Sequence, residues 1–327
     1  MNKPLSTFGL PGRGAAVVRC GDIRSAIAAI SEARARGFPV FPIGEGSNCV
    51  FLEKHVPAVF IRSSDRAIRR HGRGSRAYLT AGAGLPWDAL VKFAVARGLG
   101  GIESLSGIPG TCGAAPVQNI GAYGSELSHT LASVQVIDLR TLRERDIPLA
   151  GCRFGYRRSI FNTTHRGRFF IASITLRLKK DKKAPLIARR RAILRTRRQK
   201  LPDYKKIPNC GSFFKNPIIG KAAAKQFLEN HPDAPHWPES KGMKLSAAWL
   251  IERSGMRHKR WGNISISPDH ALILVNLGET DHRFIKKAIA DLQSAVRKKF
   301  KITITPEPNL LEKSMIKNIL RQQRIPG

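Results

Sequence analysis

Between positions 107 and 124 the chain reads Gly107-Ile-Pro-Gly-Thr-Cys-Gly-Ala-Ala-Pro-Val-Gln-Asn-Ile-Gly-Ala-Tyr-Gly124. So many glycines and small residues leave little side-chain bulk with which to build a core. They suit a place where backbone must come very close to something flat or extended. A long structural loop is the plainer explanation, but structureless stretches of this size inside a domain are usually functional. A second glycine-rich turn, Gly44-Glu-Gly-Ser-Asn48, follows the buried strand expected at residues 38–43. Such a turn exposes backbone N–H groups to a phosphate. Taken alone it is more simply a structural turn.

Around these segments the hydrophobic spacing alternates between two periods. Ile23, Ile27, Ile30 and Ala33 mark a helix over 23–36, stopped by Gly37. Residues 85–97 read as a helix with Pro86 in its first turn and Gly98 past its end. Strands are expected at 49–52, 59–62, 77–83, 134–139, 169–178 and 271–276, and helices at 185–200, 222–229, 245–253 and 281–300. Without a strict βαβ beat, this mixture indicates α+β rather than a doubly wound sheet.

Composition narrows the functional classes. A chain of 327 residues with 42% hydrophobic content suits two or three packed units. No apolar run approaches the ~20 residues of a membrane span. The first residues, Met1-Asn-Lys-Pro-Leu-Ser-Thr-Phe-Gly9, contain no apolar h-region, so a cytoplasmic location is expected. Five widely spaced cysteines without a CxxC pair suggest neither a metal site nor a disulfide framework. The formal net charge of +34 points to an anionic partner: nucleic acid, a membrane surface or a phosphate-bearing substrate. Its densest part is residues 182–206, with a lesser basic stretch at 313–324. No aromatic-studded basic module accompanies it, so specific nucleic-acid binding and membrane binding are not expected.

Six blocks then occur in one order: Thr7-Phe-Gly9, Gly44-Glu-Gly-Ser-Asn48, Ile108-Pro-Gly110 through Gln118-Asn-Ile-Gly-Ala-Tyr-Gly124, Cys152-Arg-Phe-Gly-Tyr-Arg157, Gly211-Ser-Phe-Phe-Lys-Asn-Pro217 and Pro306-Glu307. Together they resemble the UDP-N-acetylenolpyruvoylglucosamine reductase (MurB) family across almost the whole chain. The resemblance implies a two-lobed FAD-binding fold of the vanillyl-alcohol-oxidase (PCMH) type plus a C-terminal α+β substrate domain. The expected division is 1–62 and 63–200 for the two lobes, with 302–327 returning to the second, and 201–301 for the substrate domain. NADPH would reduce the FAD, which would in turn reduce a UDP-linked enolpyruvyl sugar to UDP-N-acetylmuramate. A monomer is expected.

Residue by residue, the resemblance implies catalytic roles for Arg157, Ser212 and Glu307: steadying an enolate, donating a proton and assisting at the same centre. Gly44, Glu45, Gly46, Ser47, Asn48, Pro109, Gly110, Thr111, Ala114, Ala115 and Gly121 would lie along the flavin. Tyr123, Tyr156, Arg197, Lys200 and Asn216 resemble contacts to flavin or UDP-sugar. The subgroup with Gly-Glu-Gly-Ser-Asn usually carries a tyrosine-bearing insertion before the basic helix, whereas residues 179–187 here contain no tyrosine. Two rival readings stand beside this one: a basic nucleic-acid-binding protein, and a flavin oxidoreductase of the same fold with another substrate.

Overall fold

The computed structural model describes residues 5–72 and 76–323. The ends of the expected lobes, 1–4 and 324–327, lie outside the described residues, as does the last residue of the 313–324 basic stretch. The chain divides into two compact units, one built from residues 12–46, 55–199 and the C-terminal segment from 311, the other from the N-terminal segment through 11, 47–54 and 200–310.

The first unit contains a small parallel sheet in the order Ala16–Cys20, Val59–Ser63, Val40–Pro42. The helix Ile23–Ala35 packs on it through Ala26, Ile30 and Ala33, and its start is fixed by Asp22, which accepts from Ser25 N–H at 2.7 Å. The free edge of Val40–Pro42 is closed by a side chain. Gln323, buried at the end of the helix Lys313–Gln323, accepts from Val40 N–H at 2.9 Å and donates to Val40 C=O at 2.7 Å. An edge strand covered in this way is withdrawn from pairing with another chain.

The larger sheet of this unit is antiparallel, in the order Glu144–Pro148, Leu131–Asp138, Phe169–Lys180, Arg76–Gly82, Ile68–His71. The helix Trp87–Ala96 buries Trp87, Leu90, Val91, Ala94 and Val95 against it. Two short strands here escape sequence reading, Ile68–His71 and Glu144–Pro148, because both carry charged residues at the sheet's edges. The basic helix spans Lys183–Lys200, starting two residues earlier than its proline suggests; Pro185 sits in the first turn, where its missing N–H costs no helical bond. The strand Phe169–Lys180 ends three positions before that helix begins, which leaves no room for an inserted loop.

The second unit is organised on the sheet Asn209–Ser212, His270–Asn276, Ile264–Ser267, Arg260–Trp261. The helix His282–Phe300 buries Ile285, Ala288, Ile289, Leu292, Val296 and Phe300 into the same core as Phe213, Phe214 and Leu250. The Thr7-Phe-Gly9 block is part of this architecture. Phe8 lies edge-on to Phe213 at 6.1 Å, and Thr7 Oγ1 donates to Asn209 C=O at 2.7 Å. The helix expected from 245 starts instead at Ala247, because Leu245 belongs to the strand Gly242–Leu245 and Ser246 caps the helix. No helix among the described residues is long and apolar enough to cross a membrane.

Candidate active site

The glycine-rich segment 107–124 is anchored by its backbone. Trp87 N–H donates to Gly110 C=O at 2.9 Å, Cys112 N–H to Leu85 C=O at 2.8 Å and Gly113 N–H to Ala83 C=O at 3.0 Å. Cys112 and Ala115 are buried, and a short 3₁₀ turn spans Ala115–Gln118. The Gly44 turn approaches the same stretch so closely that a Cβ at Gly44 would lie 2.7 Å from Thr111 Oγ1 and 3.4 Å from the Ala114 Cβ. Gly44, Pro109, Gly110, Thr111, Ala114, Ala115 and Gly121 therefore belong to one continuous backbone-walled region, with Glu45 exposed and Gly46 left-handed beside Gly44. A lining of backbone and small residues, held by fixed hydrogen bonds, suits the pyrophosphate and flat ring of a flavin.

Arg157 lies in the same unit. Its backbone is left-handed (φ 51°), as are those of Tyr123 (φ 50°) and Asn119 (φ 48°), a conformation that side chains with a Cβ adopt rarely and that a surrounding network must hold. Arg157 donates to Gly121 C=O at 3.2 Å, and its guanidinium lies 5.6 Å from the Tyr156 ring centroid. Asn162 donates to Arg157 C=O at 3.0 Å, and Ser159 Oγ to Val117 C=O at 2.6 Å.

Asn119, itself one of these left-handed positions, is absent from the sequence-based expectations. Fully buried, it donates to Glu126 at 2.7 Å and to Gly155 C=O at 3.3 Å, and accepts from Ser128 N–H at 3.0 Å. Its place in the Gln118-Asn-Ile-Gly block marks it only as one polar residue in a flexible-looking stretch. The partners that make it a hub are 7, 9 and 36 positions away.

In the second unit Ser212 ends a bulged strand. The register shifts between Asn209 and Ser212, and Gly211 adopts φ +74° with nothing near where a Cβ would stand. Asn209 holds the bulge, accepting from Gly211 N–H at 3.0 Å and donating to Ile207 C=O at 2.8 Å. Such bulges re-aim the side chain that follows, here Ser212. Glu307 is joined to the same strand: its N–H donates to Phe213 C=O at 2.9 Å, and Lys215 N–H donates to Thr305 C=O at 3.0 Å. The structure thus brings Ser212 and Glu307 together. Asn48 belongs to this group too, donating to Glu307 C=O at 3.4 Å, with Ser47 next to it in sequence.

The expected substrate contacts are distributed differently. Asn216 Oδ1 accepts from Ala247 N–H at 3.0 Å, at the first turn of the helix Ala247–Arg253. Lys200 is exposed, and its charge adds to burial in depressing the His270 imidazole, while Glu252 opposes both. Arg197 donates from Nε to Gly107 C=O at 3.2 Å and interacts electrostatically with Tyr123. All five cysteines are buried and none is in a disulfide. The Cys210 thiol is pushed up first by burial, then by the charges of Cys49 and Glu307, which removes it as a reactive group.

These features define an α+β flavoprotein. A family model described as an FAD binding domain matches residues 14–141, and one described as the UDP-N-acetylenolpyruvoylglucosamine reductase C-terminal domain matches residues 202–311. Curated relatives agree over the full length. The UDP-N-acetylenolpyruvoylglucosamine reductase of Azoarcus sp. (strain BH72) is 37% identical over 93% of this chain and 94% of its own. That of Escherichia coli (strain K12) is 35% identical with the same coverage. The crystal structure of the Thermus caldophilus reductase (MurB) shares the fold, with a TM-score of 0.69 at 23% identity over 94% of this chain and 96% of that one. The chain belongs to the UDP-N-acetylenolpyruvoylglucosamine reductase family.

Proposed function

We propose that this protein is an NADPH-dependent, FAD-containing reductase that converts UDP-N-acetyl-3-O-(1-carboxyvinyl)-glucosamine to UDP-N-acetylmuramate, a step of peptidoglycan precursor synthesis. The observation that carries the reading is the full-length match to reductases of that name, with the flavin-domain and C-terminal matches falling on separate parts of the chain. Bound FAD supplies a hydride taken from NADPH. Every other requirement falls on side chains of this chain.

Hydride addition to the enolpyruvyl double bond leaves negative charge spread towards the substrate carboxylate. A fixed guanidinium stabilises such charge strongly because it needs no reorganisation when the charge appears. Arg157 is assigned this role, supported by its held left-handed backbone and its tie to Gly121. Ser212 is assigned the proton delivered to the carbanionic carbon. A serine hydroxyl is a weak acid and needs help from a neighbour. Glu307, bonded through its backbone to the residue after Ser212, is assigned that help. The two expected lobes, 1–62 and 63–200 with 302–327, are assigned to holding flavin through Gly44–Asn48 and 109–121, although the N-terminal segment through 11, 47–54 and 302–310 group compactly with the 200–310 unit. Residues 201–301 are assigned to the UDP-sugar, with Lys200, Asn216, Tyr123 and Tyr156 as contacts. Buried thiols outside any disulfide and the need for NADPH suit a cytoplasmic location, and a monomer is the proposed state.

Purified protein should be yellow, and its NADPH oxidation should depend on the UDP-linked enolpyruvyl sugar. A preparation that takes up no FAD overturns the flavoenzyme reading. Flavin-bound protein that oxidises NADPH but ignores this sugar overturns the substrate and favours another oxidoreductase.

A further inference from the structure

Three residues outside the six sequence blocks converge on one residue of the flavin region, Gly107, two of them directly and the third through Asp88. Asp88, in the first turn of the helix Trp87–Ala96, accepts from Gly107 N–H at 2.6 Å. The same carboxylate receives both ends of the Arg190 guanidinium, at 2.6 and 2.7 Å, in a fork with Arg190 only 13% exposed. Arg197, two turns further along the basic helix, donates from Nε to Gly107 C=O at 3.2 Å and interacts electrostatically with Tyr123. Gly107 is therefore held at its N–H by Asp88 and at its C=O by Arg197. It has no room to change: its φ is +72°, and a Cβ would meet Leu194 at 2.8 Å and Arg197 at 3.2 Å.

From this arrangement we infer that Asp88, Arg190 and Arg197 are positioning residues that clamp both ends of the 107–124 segment and preset it for flavin and substrate. Arg197 holds Gly107 at the start of the segment and interacts with Tyr123 near its end. Asp88 gives Arg197 a nearby countercharge and fixes the preceding amide. Arg190 in turn holds Asp88 ionised: burial alone would raise the carboxyl, but the hydrogen bonds from Arg190 and Gly107 hold it below the ordinary carboxylate range. A parallel tie stands at the preceding helix position, where Arg189 pairs with buried Glu103 at 2.5 Å and Glu103 accepts from Gly101 N–H at 2.7 Å. Three of the basic helix's eight cationic side chains are thereby explained by contacts within the fold.

The inference rests on the functional reading for the word flavin and on geometry alone for the clamp, so the test separates them. In flavin-stripped full-length protein, hydrogen exchange of the 107–124 segment is compared among wild type, Asp88→Asn, Arg190→Met and, as a control, the exposed Arg191→Met. FAD affinity is then measured by fluorescence titration of the same proteins. Asp88→Asn and Arg190→Met should both speed exchange in this segment and weaken FAD roughly 10–100-fold, the range for groups that orient a binding element without touching the ligand. Arg191→Met should stay within about twofold, as a surface change does. The first two variants shift net charge in opposite directions, so opposite effects on affinity would show a bulk charge effect and overturn the clamp. Unchanged exchange in both would overturn it too, even if wild type took up no FAD, an outcome that would separately overturn the flavoenzyme reading. Arg190→Lys keeps charge and loses the fork, so it should fall between wild type and Arg190→Met; full rescue would contradict the bidentate geometry.

Discussion

The 107–124 segment and the 209–217 strand and turn carry different kinds of chemistry by different means. In the first, backbone does the shaping: N–H and C=O groups lock onto residues 83–87, and Asn119 and Tyr123 are held left-handed. In the second, one glycine bulge aims a single hydroxyl, and the neighbouring Glu307 is attached through a main-chain bond. A surface that receives a large flat group needs shape set in advance. A proton donor needs only one side chain aimed and a partner nearby. Damage to the first region should therefore appear in binding and stability, and damage to the second in one chemical step.

The largest effect that sharpens this contrast is at Arg157, which belongs to the backbone-shaped unit but is assigned chemistry. Arg157→Met should lower kcat roughly 10²–10³-fold, as loss of a group facing developing negative charge does. Flavin content should be retained. If FAD is lost in step with activity, Arg157 is part of the cradle and the contrast breaks.

Asn119→Ala should act the other way. Removing a buried amide with three partners costs about 1–3 kcal/mol through the groups left unsatisfied, read by urea unfolding of the purified chain. FAD affinity should fall with it. A variant as stable as wild type would deny Asn119 its role as hub.

Gly211→Ala tests the bulge. The site has open space but a positive φ, so the strain is of order 1–2 kcal/mol. Because the strand can relax by moving Ser212, kcat should fall while flavin reduction by NADPH does not. Loss of flavin reduction as well would show that the bulge supports the flavin region.

The smallest effect is in pH. His270 in the 200–310 unit has its pKa held below the ordinary histidine value chiefly by burial, with Lys200 adding and Glu252 opposing. The depressed folded value means its stabilisation is whole above about pH 6.5 and is lost as pH falls through the folded value. In the other unit burial would raise Asp138, but Arg168 at 2.9 Å, Arg140 N–H and Arg145 lower it. That contribution is whole above about pH 4 and is lost as pH falls through its depressed folded value. The His165 imidazole of that unit is likewise held down, first by burial and then by Arg168 and Arg153, so hydrogen exchange followed down a pH series should loosen the segments around His270 and His165 before the strand that carries Asp138. A strand around Asp138 that loosens first would contradict these assignments.

The sequence made the repeat-free α+β alternation legible, along with the helices at 23–36, 85–97 and 281–300, because their apolar spacing was regular. The six blocks identified the family because they are local strings. What stayed hidden is set by distance along the chain. Asp88 and Arg190 are 102 positions apart, and Arg197 and Gly107 are 90 apart. In a chain with 57 basic residues, nothing local distinguishes Arg190 from solvated neighbours such as Arg191, and Arg197 is legible only as an expected ligand contact, not as a partner of Gly107. The Gly211 bulge was visible as a glycine, but its purpose appears only with the register shift against His270–Asn276.

The most direct test of the assigned chemistry is an anaerobic rapid-mixing experiment on Ser212→Ala. The account predicts that NADPH bleaches the flavin at a rate close to wild type, and that adding the UDP-linked enolpyruvyl sugar then fails to restore the oxidised spectrum. Restoration at the wild-type rate with formation of UDP-N-acetylmuramate would contradict it, because the proton would then come from elsewhere.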